Sequence, residues 1–71
     1  SERLTVYSAN IRRTNTTPDL AFAAAMERAA DVVVFVEYAS SFEPALRASG
    51  LLERYRTVVR DESHDQGLLL T

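Results

Sequence analysis

The sequence predicts an α/β fold, a layered β-α-β-α-β-β arrangement, on three observations. The stretch DVVVFVEY carries five apolar residues in a row, Val32 to Val36, without the polar alternation of a half-exposed strand. A continuous β-branched run is the pattern of a strand buried on both faces, as in a parallel sheet. Between it and an earlier strand-like segment lies an alanine-rich stretch with apolar residues at helical spacing. Near the C-terminal end, two extended segments flank a short polar loop and read as an antiparallel hairpin. Strands alternating with helices select the α/β class.

Taken in order, Leu4 to Ala9 (LTVYSA) is rich in β-branched and aromatic residues and reads as the first strand, with Asn10 at its end. The polar IRRTNTT that follows is a loop. Thr17-Pro18-Asp19 opens a helix: Thr as N-cap, Pro at the first helical position where its missing N–H is harmless, Asp near the positive end of the dipole. Phe22, Ala25, Met26, Ala29 and Ala30 form its apolar stripe, and Asp31 turns the chain into the second strand, Val32 to Glu37. Ser40 or Ser41 caps a second helix, with Glu43 as capping-box partner of Ser40. Phe42, Ala45, Leu46 and Ser49 give that helix a narrower buried face, and Gly50 closes it in the left-handed region. Tyr55 to Arg60 reads as the third strand and Gly67 to Thr71 as the fourth, joined by the loop DESHDQ.

The chain has 71 residues, 46% apolar and 25% charged, the balance of a globular protein with a thin core. A formal net charge of −2 argues against nucleic-acid binding by bulk electrostatics, though not against a nucleic acid held through a metal ion. Without cysteine there is no disulfide framework, thiolate zinc site or cysteine nucleophile. With Gly50 and Gly67 the only glycines, the phosphate-binding turn of a dinucleotide domain is missing. No apolar stretch approaches the roughly 20 residues of a membrane helix, and none has the pattern of a signal peptide. The chain starts on Ser1 and stops inside a strand-like pattern, so residues 1–71 are expected to be one part of a larger domain, the remainder following Thr71.

The chemistry concentrates where the first two strands end. A right-handed βαβ unit usually sets its strands side by side, about 4.8 Å apart. Asn10 and Glu37 then occupy equivalent positions at the C-terminal edge, where open α/β sheets place ligands. A carboxylate and an amide oxygen, with no thiol or imidazole between them, suit a hard cation such as Mg²⁺ or Mn²⁺. The same two residues also fit a blander account, a solvated strand end and a turn former.

In order and spacing, LTVYSAN, a helix, DVVVFVEY, a hairpin and a closing GLLLT together resemble the start of the endonuclease/exonuclease/phosphatase superfamily, the DNase I-like group that includes abasic-site endonucleases, sphingomyelinases and inositol-polyphosphate phosphatases. The resemblance covers essentially the whole chain. It implies the first part of a four-layer α/β sandwich and a metal-dependent phosphoric-ester hydrolase. Glu37 would be the direct Mg²⁺ ligand and Asn10 its neighbour in the metal or phosphate shell. In the family the residue before this glutamate is often Gln; here it is Val36. ANIRRTN and the helix of small residues are similar to bacterial members, some of which sit behind N-terminal membrane helices; cellular location and substrate class stay open. The His/Asp, Asp/Asn and final Asp-His motifs that activate water come later in the family's fold. The 71-residue chain alone is therefore expected to be inactive.

Arg12 and Arg13 follow Asn10 on the loop that would rim the site; either fits a substrate phosphate or a solvated basic pair. Tyr38, directly after Glu37, is a candidate to line the cleft, while Tyr7 within its strand is expected in the core. His64, the single histidine, sits in the polar hairpin loop beside Asp61, Glu62 and Asp65 and reads as a solvated loop residue. The alternative to an enzyme part is a non-catalytic α/β module that self-associates, as a homo-oligomer, through exposed strand edges.

Overall fold

A computed structural model describes residues 3–61 and 67–71. Strands and helices alternate along the chain as β1 Val6–Asn10, α1 Pro18–Arg28, β2 Val32–Val36, a 3-10 turn Ser40–Phe42, α2 Glu43–Ser49, α3 Leu51–Arg54, β3 Val58–Asp61 and β4 Gly67–Leu70. The fold is mixed α/β, with one four-stranded sheet among the described residues in the order β1-β2-β4-β3. β1 and β2 are parallel neighbours, Val6 opposite Val32 through Asn10 opposite Val36. β4 runs antiparallel to both β2 and β3. The final segment thus takes the sheet's interior and β3 its edge. Side-chain chemistry accounts for the choice: β4 buries Leu68 and Leu70, whereas β3 carries Arg60 and Asp61, charges that blunt an edge.

The parallel register is set at its lower end by one side-chain pair. Asp31 Oδ2 accepts from the Thr5 N–H at 2.9 Å and from the Thr5 hydroxyl at 3.0 Å, while Asp31 N–H donates to that hydroxyl oxygen at 3.0 Å. These bonds, the main-chain one first, hold the Asp31 carboxyl below its ordinary pKa. Val32 N–H donates to Thr5 O in the adjoining step, so the first paired residues cannot slip.

One face of the sheet carries all three helices. Phe22 and Ala25 of α1, Leu46 of α2 and Leu51 of α3 close over Val33, Phe35, Leu68 and Leu70. Phe22 meets Phe35 edge-on, centroids 5.3 Å apart. The expectation that Val32–Val36 is buried on both faces is corrected here. Only Val33 and Phe35 are fully enclosed; Val32 and Val34 are half-buried and Val36 is 41% exposed. Alternation of burial exists in the structure although the sequence hides it behind an all-apolar run. The uncovered face continues onto Val6 and Val59, 59% and 49% exposed.

Several element boundaries differ from the sequence expectation. Leu4 lies outside β1 and is 73% exposed. Helix α1 stops at Arg28, and Ala29 adopts a left-handed conformation (φ 52°) with its N–H donating to Ala25 O; Ala30 alone of that pair is buried. Glu43 makes no capping box with Ser40: the N-terminal segment is a 3-10 turn without a side-chain cap, and Glu43 bonds elsewhere. Gly50 is left-handed as expected (φ 89°), but the chain re-enters a helical turn, α3, because Leu51 is drawn into the core. Tyr55 ends α3 rather than opening β3, and its buried hydroxyl donates to Ala30 O at 2.6 Å. No helix among the described residues is long and apolar enough to cross a membrane.

Candidate functional site

The parallel register brings the C-terminal ends of β1 and β2 to one level, with Asn10 opposite Val36. Extending the strand period past Val36 would send Glu37 to the helix-covered face alongside Val33 and Phe35, and would turn Tyr38 outward. A left-handed residue intervenes: Glu37 has φ 62°. Glu37 stays at the rim, where its carboxylate bond is exposed, and Tyr38 enters the core at 4% exposure. Glu37 Oε2 accepts from Asn10 Nδ2 at 2.7 Å. The two residues singled out from the sequence are therefore in direct contact.

Both ends of the Asn10 amide are used. Its Oδ1 accepts the Arg12 N–H at 2.9 Å, a side-chain turn of the kind asparagine favours, and Arg12 is itself left-handed (φ 66°). Ile11 N–H continues the strand ladder to Val36 O at 3.0 Å and buries its side chain. Asn15 secures the far side of the loop, donating to Ile11 O at 2.9 Å and accepting Thr17 N–H at 2.7 Å. The second asparagine of ANIRRTN thus shapes the loop that holds the first. Arg12 and Arg13 are exposed along this loop, on the rim of the Asn10–Glu37 pair.

Tyr38 does not line a cleft, contrary to the sequence expectation. Its ring packs against Phe22 and Phe42, with centroids 6.4 Å and 6.0 Å away. Its hydroxyl donates to Glu43 Oε1 at 2.5 Å, and burial, then this carboxylate, push its pKa well above the ordinary tyrosine value. Glu43 receives a two-pronged contact from Arg60: Nε to Oε1 at 3.0 Å and Nη2 to Oε2 at 2.6 Å. Arg60 is the main reason that the Glu43 carboxyl is held below its ordinary range. Arg47, at 3.5 Å and largely exposed, adds little. Arg60 lies opposite the buried Leu68 on β3, so it stands on the helix-facing side of its strand. An arginine at an inward strand position is the signal that sequence reasoning missed.

Chemically, the rim offers one carboxylate whose other oxygen, Oε1, has no hydrogen-bond partner among the described residues. Asn10 orients that carboxylate through its NH₂, while its oxygen accepts the Arg12 N–H and keeps a second lone pair. Mg²⁺ retains several waters and is commonly held through one or two carboxylates plus substrate phosphate, so Glu37 fits such an ion. No group of three His, Cys, Asp or Glu residues converges among the described residues. His64, Glu62 and Asp65 lie outside the described residues. Comparison of the chain with protein-family models, with curated proteins and with solved structures returns no match.

Proposed function

We propose that the rim formed by Asn10 and Glu37 is a divalent-cation site and that the chain is the N-terminal part of a Mg²⁺-dependent phosphoesterase of the DNase I-like type. The observation that carries this reading is the 2.7 Å Asn10–Glu37 contact made through a left-handed Glu37 at the C-terminal edge of two parallel strands. Non-glycine residues held in this backbone region concentrate at functional sites, because surrounding structure must over-determine them. In the intact enzyme Glu37 would hold the cation, Asn10 would orient Glu37, and Arg12 or Arg13 would meet a substrate phosphate. The ion would polarise a phosphoryl oxygen and steady the leaving group. The uncovered valine face of the sheet fits the layered sandwich of this fold, in which a further sheet covers it.

Titration with Mn²⁺ followed by amide NMR tests the site. Selective broadening of the Asn10, Ile11 and Glu37 signals, lost in Glu37→Gln, is the expected result; uniform weak broadening across all acidic residues would sink the reading. A generic phosphodiester with Mg²⁺ should show no appreciable turnover with the 71-residue chain, which holds one carboxylate of a metal shell and none of the family's later motifs. The same exposed valines favour a second reading, a non-catalytic module that self-associates along its sheet. A concentration-dependent mass in light scattering, without any Mn²⁺ response at Glu37, is the outcome that selects it.

A further inference from the structure

We infer that Tyr38 is a positioning residue for Glu37: its buried hydroxyl, bound to the Glu43–Arg60 pair, anchors the backbone immediately after the left-handed turn and so keeps the carboxylate at Asn10. The inference rests on the proposed cation site for its functional meaning, but its geometry stands independently of any metal.

A left-handed glutamate returns to extended backbone unless both of its flanks are held. On its N-terminal side the flank is the sheet itself, where Val36 O accepts the Ile11 N–H. On its C-terminal side the next residue is Tyr38, and every contact there pulls inward. Phe22 and Phe42 enclose the ring, and Glu43 accepts the hydroxyl. The hydroxyl adds a directional tether to the enclosed ring, because its bond to Glu43 fixes where Tyr38 sits relative to the first turn of α2. Arg60 ensures this by gripping both Glu43 oxygens from β3, joining the first turn of α2 to the sheet edge. If Tyr38 turned outward, the strand period would resume, and Glu37 would rotate toward the covered face and away from Asn10.

The test compares two tyrosine-to-phenylalanine variants of the 71-residue chain by NMR. Tyr38→Phe removes the hydroxyl beside Glu37. Tyr55→Phe removes the other buried hydroxyl, the one donating to Ala30 O just ahead of β2, at the far end of that strand from Glu37, and serves as the control for a merely structural loss. Two readouts need no metal: the strong intraresidue amide–Hα Overhauser signal of Glu37 that a left-handed residue gives, and the position of the Asn10 side-chain amide protons. The expected result is that both weaken toward extended, unbonded values in Tyr38→Phe and remain unchanged in Tyr55→Phe. The apparent Mn²⁺ affinity should also fall about five-fold in Tyr38→Phe, the factor one ordinary hydrogen bond carries. Glu43→Gln, which keeps an acceptor for the hydroxyl but loosens Arg60, should move the same signals in the same direction by less, and substitutes if Tyr38→Phe does not fold. Unchanged Glu37 and Asn10 signals in both variants, or equal changes in Tyr55→Phe, would overturn the inference. Absence of any Mn²⁺ response in the wild-type chain would instead refute the cation site, while the two metal-free readouts still decide the role of Tyr38.

Discussion

Replacing Glu37 by glycine and, separately, by alanine divides the conformation of this position from its chemistry. A left-handed backbone disfavours an L-residue by about 1–2 kcal/mol. Glycine removes that strain but returns about 0.4–1 kcal/mol of freedom to the unfolded chain, leaving a net gain of roughly 0.5–1 kcal/mol. Both variants lose the 2.7 Å bond from Asn10, which at an exposed rim is worth about 0.5–1 kcal/mol. In Glu37→Gly the two terms nearly cancel, and thermal stability should stay close to wild type. Glu37→Ala loses the bond and retains the strain, so it should fall below the glycine variant by about 0.5–1 kcal/mol, roughly 3–8 °C for a domain of this size. Thermal unfolding by circular dichroism, with urea unfolding as the check, reads the difference directly. Neither variant should show the Mn²⁺-dependent broadening at Asn10. An alanine variant as stable as the glycine variant would refute the reasoning, because it would mean that position 37 is not held left-handed in solution.

Ala29→Gly should raise stability by about 0.5–1 kcal/mol in urea unfolding, since Ala29 closes α1 at φ 52° and a glycine there is unstrained. Glu43 titrates below its ordinary value of 4.5 because Arg60 favours its charged form. The folded state therefore gains from Glu43 fully above pH about 4.5 and loses that gain as pH falls through the lowered value. Urea midpoints at pH 7 and pH 3 should differ less in Glu43→Gln than in wild type, with the exposed Asp31, also lowered, contributing equally to both.

How much of this was legible in the sequence depends on whether the information was local. The helix start at Thr17-Pro18-Asp19 and the left-handed Gly50 follow from single-residue backbone preferences, and both are where the sequence puts them. The pairing of β1 with β2 follows from the side-by-side habit of a βαβ unit, but Asn10 stands opposite Val36 rather than level with Glu37, which lies past the end of β2 and meets Asn10 through its left-handed backbone. Strand order is different. Which of two consecutive hairpin strands enters the sheet is decided by competition for the core, and Leu68 and Leu70 outcompete a strand bearing Arg60. Covered and open faces of β2 were equally illegible, because valine serves both. The Tyr38–Glu43–Arg60 contact joins residues up to 22 positions apart, so no local pattern announces it, and the expected cleft position of Tyr38 fails because Glu37 breaks the strand period.

That broken period bears on how strain should be weighed as a functional signal. Three non-glycine residues have positive φ among those described: Arg12, Ala29 and Glu37. Ala29 is accounted for by helix termination, since its N–H satisfies a carbonyl of the last turn and its side chain is exposed. Arg12 and Glu37 also serve the packing: Arg12 lies in the turn closed by its N–H on Asn10 Oδ1, and left-handed Glu37 lets Tyr38 enter the core. They belong to different strands' ends, 25 residues apart in sequence, yet both are tied to the same side chain: Asn10 accepts from one main chain and donates to the other's carboxylate. Removing Asn10 would release both turns at once, since its side chain bonds to each. Two departures from relaxed backbone thus converge on one amide at the C-terminal edge of two parallel strands. It is this convergence, rather than strain as such, on which the proposed cation site at the Asn10–Glu37 rim rests.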